Sequence, residues 1–169
     1  MAFEVDRWHD FYVMTGGAAA ALAGLLFVAM SLHARDIMAN HFFSNRAIGT
    51  LMSLASQLLI SGAVLMPGQS SLLLGVEVEA AALFFTIWLA GQIRVRGRYP
   101  TPAVASTLTH RLMELGGGTL WIVLFNVAGV SLLLQAGAGL YLLAAVMFFM
   151  FAWNIYIAWI LITEVSEGG

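Results

Sequence analysis

Two residue types, cysteine and lysine, are absent from this chain of 169 residues. Without cysteine the protein has no disulfide, no thiolate metal site and no cysteine nucleophile. Without lysine it cannot form a Schiff base with a substrate. The sequence also lacks the glycine-rich phosphate loop, the HExxH metalloprotease motif and the GxSxG nucleophile motif. We therefore expect a protein that is not an enzyme and that carries no cofactor.

Charge is also scarce, because only 9% of the residues are charged whereas 61% are hydrophobic. A soluble domain of this length needs a much more highly charged surface. The formal net charge is −2 and the sequence has no basic tract, so nothing indicates nucleic acid as a partner. The composition therefore predicts an all-α integral membrane protein whose main partner is the lipid bilayer.

Five apolar segments divide the chain, each about 20 residues long, which is the length needed to cross a hydrocarbon core of about 30 Å. The predicted spans are 11–34, 47–66, 71–93, 117–136 and 139–162. Together they form one transmembrane domain, 11–163. It is preceded by an extracytoplasmic interfacial segment at 1–10 and followed by a cytoplasmic tail at 164–169.

The connections between the spans differ in length and composition. Short turn-rich stretches at 67–71 and 136–139 join span two to span three and span four to span five. We therefore expect one N-terminal span followed by two helical hairpins. The segments 35–46 and 94–116 are predicted to be connections, the second with a short amphipathic helix over 103–115. The glycine triplet 116–118 is predicted to be a flexible joint before span four.

The arginines are distributed unequally between the two sides of the predicted membrane domain. Arg7 lies on the N-terminal side. The other six lie on the opposite side, and they are Arg35, Arg46, Arg94, Arg96, Arg98 and Arg111. Positively charged loops remain in the cytoplasm. The pattern predicts an N-terminus outside and a C-terminus inside, in a cell membrane that we expect to be a bacterial inner membrane.

Two acidic residues, Glu77 and Glu79, fall inside the predicted third span. A carboxylate there costs several kcal/mol unless it faces protein, water or a cation, or is protonated. The two side chains point about 200° apart on a helix, so they cannot face one site. Glu77 is the residue that we expect to face a polar region, with Glu79 pointing elsewhere. The alternative is that the span begins near Ala80 and both acids lie in a loop.

Span two carries a polar stripe at spacings of three and four residues, which places its members on one helical face. Ser53, Gln57 and Ser61 belong to this stripe, and Asn126 of span four is expected at the level of Gln57. With Glu77, these residues are candidates to line an ion path. The alternative is that they form hydrogen bonds between helices without any transport.

Two histidine–carboxylate pairs lie at the predicted cytoplasmic boundary. His33 precedes Asp36 by three residues, and His110 precedes Glu114 by four. Nitrogen and carboxylate ligands at these spacings would hold zinc or iron if the two pairs converged. The two histidines are also conceivable axial haem ligands. The simpler interpretation is that all four are interfacial polar residues.

Small residues recur every fourth position in span one, at Gly16, Ala20 and Gly24. Such spacing lets helix backbones approach closely in lipid.

Taken together, the sequence predicts a small homo-oligomeric channel or transporter for a small ion. The alternative is a non-catalytic accessory or assembly subunit of a larger membrane protein complex.

Overall fold

The computed structural model describes residues 5–39, 41–96, 108–135 and 138–167 of the chain. A single turn of 3₁₀-helix, Val5–Trp8, precedes the first α-helix. The α-helices are α1 (His9–Leu32), α2 (Ala34–Ala39), α3 (His41–Val64), α4 (Ser71–Arg96), α5 (Leu108–Leu133) and α6 (Gly139–Glu167). The described residues contain no strand, so the all-helical prediction is confirmed for this part of the chain.

Four helices are long and apolar enough to cross a membrane. The candidate spans are His9–Leu32, Phe43–Val64, Ser71–Gly91 and Gly139–Ile160. In α5 the apolar stretch is shorter, Thr119–Leu133. The helical membrane class is therefore supported for four segments, whereas a fifth crossing through α5 stays a prediction.

Two predicted connections are helical instead. The segment 35–46 is not a loop, because α2 occupies Ala34–Ala39 and α3 begins at His41, before the predicted start of span two. The flexible joint at 116–118 is also wrong, since α5 begins at Leu108, within the predicted short helix, and runs through the three glycines without a break. Each glycine costs about 1 kcal/mol relative to alanine in a helix. The strong helix formers at 112–115, before the glycines, and the long apolar run after them offset this cost.

The five long helices pack as antiparallel neighbours in the spatial order α1, α3, α6, α5, α4. The most extensive contacts join α1 to α3 and α4 to α5. A short turn connects α3 to α4, yet α4 packs mainly on α5. α3 and α6 therefore occupy the middle of the bundle, and a side chain on the inner face of α3 meets α1 on one flank and α6 on the other.

Aromatic side chains tie the start of α1 to the start of α6. The ring of Trp8 packs edge-on against Tyr141, with ring centroids 4.6 Å apart. The hydroxyl of the buried Tyr12 points at the carbonyl oxygen of Leu140, 3.5 Å away. These contacts define one end of the bundle, here named the N-terminal end, where α1, α4 and α6 begin and where α3 and α5 finish.

Glycines allow α4 and α5 to approach closely. A Cβ on Gly75 would lie 2.8 Å from the backbone nitrogen of Leu133. One turn further along α4, Glu79 lies against Gly129 in the same way. Further from the N-terminal end, the interface between α4 and α5 is apolar and aromatic. The rings of Phe85 and Trp121 pack there at a centroid distance of 5.2 Å.

Candidate polar pathway through the bundle

One face of α3 carries four polar side chains that are buried within the single chain. Thr50, Ser53, Gln57 and Ser61 are 5, 7, 0 and 2% exposed. Their spacing of three and four residues places them along one face. The rise from Ser53 to Ser61 is about 12 Å at 1.5 Å per residue. The predicted polar stripe therefore lies inside the subunit, between α1 and α6, and we name it the polar face of α3.

At the N-terminal end of the bundle, this face meets α1. The hydroxyl oxygens of Ser61 and Thr15 lie 3.4 Å apart, within hydrogen-bonding distance. Thr15 Oγ1 also lies 3.3 Å from the carbonyl oxygen of Tyr12, one turn earlier in α1. Gly16 makes room for this contact, because a Cβ there would lie 2.9 Å from Ser61 Cβ.

Nearer the other end, the polar face meets α6. Asn154 is buried and donates from Nδ2 to Ser53 Oγ at 2.9 Å. Ser56, beside the stripe, donates to the carbonyl oxygen of Ser53 at 2.8 Å. Thr50 donates to the carbonyl oxygen of Arg46 at 2.9 Å. The hydroxyls at this level are therefore bonded within the protein.

Gln57 lies between these two bonded groups. Its side chain is fully buried, and neither Oε1 nor Nε2 has a hydrogen-bond partner among the described residues. Ser53 and Ser61 are each about 6 Å away along the helix axis. An unbonded buried amide costs about 1–3 kcal/mol, so a polar occupant that bonded it would be stabilised by a similar amount.

The other two predicted path residues lie elsewhere. Glu77 accepts a hydrogen bond of 2.7 Å from Gln69 Nε2 at the turn between α3 and α4. Asn126 donates to Thr86 Oγ1 at 3.3 Å and to the carbonyl oxygen of its own-helix Ile122 at 2.7 Å. The structure thus gathers Ser53, Gln57 and Ser61 on one buried face and places Glu77 and Asn126 in separate polar contacts.

The sequence indicated Asn126, level with Gln57, as the partner of the polar stripe, but Asn126 bonds to Thr86 instead. Thr15 and Asn154 fill this role, and a buried hydroxyl or amide within an apolar span was the available signal. Glu79 was expected only to point away from Glu77. One of its carboxylate oxygens, Oε2, is buried against Gly129 and has no hydrogen-bond partner in the described structure.

Of the four predicted metal ligands, only His33 has a described side chain, so the metal site stays a prediction. His33 is exposed, and its Nδ1 lies 3.2 Å from the carbonyl oxygen of Ala29 in its own helix. The side chains of Asp36, His110 and Glu114 lie outside the described residues. Among the described side chains, no group of three or more histidines and carboxylates is placed to hold a metal ion.

Comparison with models of protein families, with curated proteins and with solved structures finds no match for this chain.

Proposed function

We propose that this protein is a small membrane channel or transporter that passes a small ion along the polar face of α3, through the interior of each subunit. The observation that supports this proposal is Gln57, an amide that is fully buried and has no protein partner for either of its polar atoms. Water or a partly dehydrated ion would bond both atoms.

The spacing of the polar groups suits such an occupant. Ser53 and Ser61 lie one turn to either side of Gln57, about 6 Å along the axis. A hydrogen bond spans about 3 Å, so one water or ion between successive groups would bridge each interval. In this proposal, Thr15 and Asn154 hold the terminal hydroxyls in place, and Gln57 supplies the polar contact at the middle of the path.

Charged residues lie near both ends of this face. Glu77, held by Gln69, follows the turn between α3 and α4 at the N-terminal end of the bundle. Arg46 is half-buried and precedes Thr50 by one turn at the other end. In the proposed path Glu77 lies at the outer mouth, and Arg46 influences the sign of the ion that passes.

The test replaces Gln57 by methionine, which has a similar volume and no hydrogen-bonding amide. The purified protein is reconstituted in sealed vesicles, and the flux of protons, Na⁺, K⁺ and Cl⁻ is measured separately. We expect Q57M to lower the wild-type flux at least about tenfold, equivalent to about 1.4 kcal/mol in the barrier. Ser31→Ala is the control, because Ser31 is exposed and donates to the carbonyl oxygen of Phe27 in its own helix.

Two results would contradict the proposal. Wild-type vesicles without flux of any of the four ions would remove the transport function and favour the accessory or assembly subunit. Full flux in Q57M, with the same helical content as the wild type, would show that ions do not follow the polar face of α3.

Self-association is the second part of the proposal. Gly17, Ala20, Ala21 and Gly24 are exposed on one face of α1, and a Cβ on either glycine would meet nothing within 4 Å. Gly16, in contrast, is used inside the subunit against Ser61. Small residues at this spacing fit the same face of a second copy, because each backbone can enter the groove of the other. The same face would accept a helix of a larger complex in the accessory interpretation.

The proposed orientation places the N-terminal end outside a bacterial inner membrane. Arg35 and Arg94 are exposed and lie toward the opposite end of the bundle, as does the half-buried Arg46. The positive-inside rule favours this end for the cytoplasm. The side chains of Arg96, Arg98 and Arg111 lie outside the described residues.

A further inference from the structure

Glu79 lies well inside a candidate membrane span. It follows Ser71, the first residue of α4, by about two turns, which is about 12 Å along the helix axis. The hydrocarbon core is about 30 Å thick, so this depth is close to its middle. Its carboxylate oxygen Oε2 is buried, has no hydrogen-bond partner among the described residues, and fills the space that a Cβ on Gly129 would occupy.

The exposed side chains that surround this carboxyl group on the outer surface of the bundle are apolar. Val76 and Leu83, one turn to either side on α4, are both 50% exposed, and Val130 beside Gly129 is 44% exposed. Exposed aliphatic side chains at this depth would face lipid. The Glu79 carboxyl therefore lies in a groove between α4 and α5 at the lipid-facing side of the bundle.

In the part of the chain that the structure describes, no opposite charge lies beside the carboxyl at this level. α5 and α3 are the helices that pack most on α4. Their facing stretches, 121–133 and 53–64, contain no titratable residue. The nearest acid along α4 is Glu77, whose carboxylate accepts a hydrogen bond from Gln69 at the α3–α4 turn. An ionised Glu79 would thus be an uncompensated charge in lipid, which costs several kcal/mol.

We propose that Glu79 is a proton-binding site inside the membrane, with its carboxyl group neutral at physiological pH. Binding a proton removes the charge without any partner group. A metal cation is a poor alternative, because it needs several oxygen ligands and the described structure places only this carboxylate in the groove. The site is separate from the polar face of α3, so the inference does not depend on ion passage there.

A hydrophobic carbodiimide, dicyclohexylcarbodiimide, tests this site in the full-length protein reconstituted in vesicles. The reagent reacts with a protonated carboxyl group: the acid proton moves to a reagent nitrogen, and the carboxyl oxygen bonds to the central carbon. The acyl group then migrates to nitrogen and remains attached as a stable acylurea where water is scarce. Tandem mass spectrometry of the fragments assigns the added mass to Glu77 or Glu79.

Glu77 lies against Gln69 at the α3–α4 turn, where water competes with the acyl migration, so it should yield little acylurea. We expect at least tenfold more modification on Glu79 than on Glu77 in the same wild-type sample. A charged, water-soluble carbodiimide should show no such preference for Glu79. Because both acids are compared in one folded protein, the result does not depend on whether a variant folds.

Two variants assign the modified residue independently. E79Q should lower the modification of the fragment that contains both acids at least about tenfold, whereas E77Q should leave the modification of Glu79 unchanged. Equal modification of both acids, or none on Glu79, would overturn the proposal, and so would preferential reaction of Glu79 with the water-soluble reagent. The readout is chemical modification rather than flux, so its failure and the failure of the proposed transport function are distinguishable.

Discussion

Replacing Gly75 by alanine should destabilise the bundle, although alanine is the better helix former. A Cβ at this position would lie 2.8 Å from the backbone nitrogen of Leu133 and 3.1 Å from the carbonyl carbon of Leu132. Both are main-chain atoms of α5, which cannot rotate away as a flexible side chain would. α4 and α5 must therefore separate at this crossing, which also carries the Glu79–Gly129 contact one turn away.

The expected magnitude follows from two opposing terms. Alanine is favoured over glycine by about 1 kcal/mol in a helix interior. Overpacking a close contact costs about 1–3 kcal/mol. G75A should therefore change the free energy of unfolding by between about zero and 2 kcal/mol, in the destabilising direction. Reversible unfolding in mixed detergent micelles, followed by tryptophan fluorescence and far-UV circular dichroism, measures this difference.

Gly91 provides the matched control on the same helix. A Cβ there would meet nothing within 4 Å. G91A should therefore be neutral or more stable than the wild type by up to about 1 kcal/mol, since only the helix propensity changes. If G75A proved at least as stable as G91A, the close crossing of α4 and α5 would be refuted.

Two further predictions concern assembly and orientation. Ala20 is exposed on the surface of the single subunit, so Ala20→Leu should reduce the oligomer size in membrane-like detergent without loss of helical content. The control Ala145→Leu, on the exposed side of α6, should leave the oligomer size unchanged. A monomeric wild type would contradict self-association. Since the chain has no cysteine, single cysteines at Ser70 and Ala39 should react with an impermeant thiol reagent from opposite sides of sealed vesicles, and reaction from the same side would contradict the topology.

The lengths of the apolar runs were sufficient to predict the long helices, because the length of such a run and its interruptions are local properties. The bounds of α4 and the start of α6 follow closely from the turn-rich stretches before Ser71 and Gly139. The helical start of α3 was missed, since residues 41–46 are polar or aromatic rather than aliphatic. The helix through 116–118 was missed because a glycine triplet is a weak signal that its neighbours outweigh.

The composition of the candidate site was only partly predictable, for a different physical reason. That Ser53, Gln57 and Ser61 share a face follows from 3.6 residues per turn. Which helices cover that face depends on the spatial order of α1, α3 and α6, which distant packing determines. The same holds for Glu79, whose environment depends on a glycine 50 positions further along the chain, at Gly129.

The antiparallel order of the bundle has an electrostatic consequence. Every extensively packed pair of long helices opposes its macrodipoles, so the partial charges of neighbouring termini largely cancel in a medium that would screen them poorly. With five helices one dipole is left over, and it places a fractional negative charge at the end where α1, α4 and α6 finish. Arg94, in the last turn of α4, lies toward that end, as does Arg35, which closely follows α1. The arginines on which the proposed orientation depends thus also offset the residual dipole of the helices.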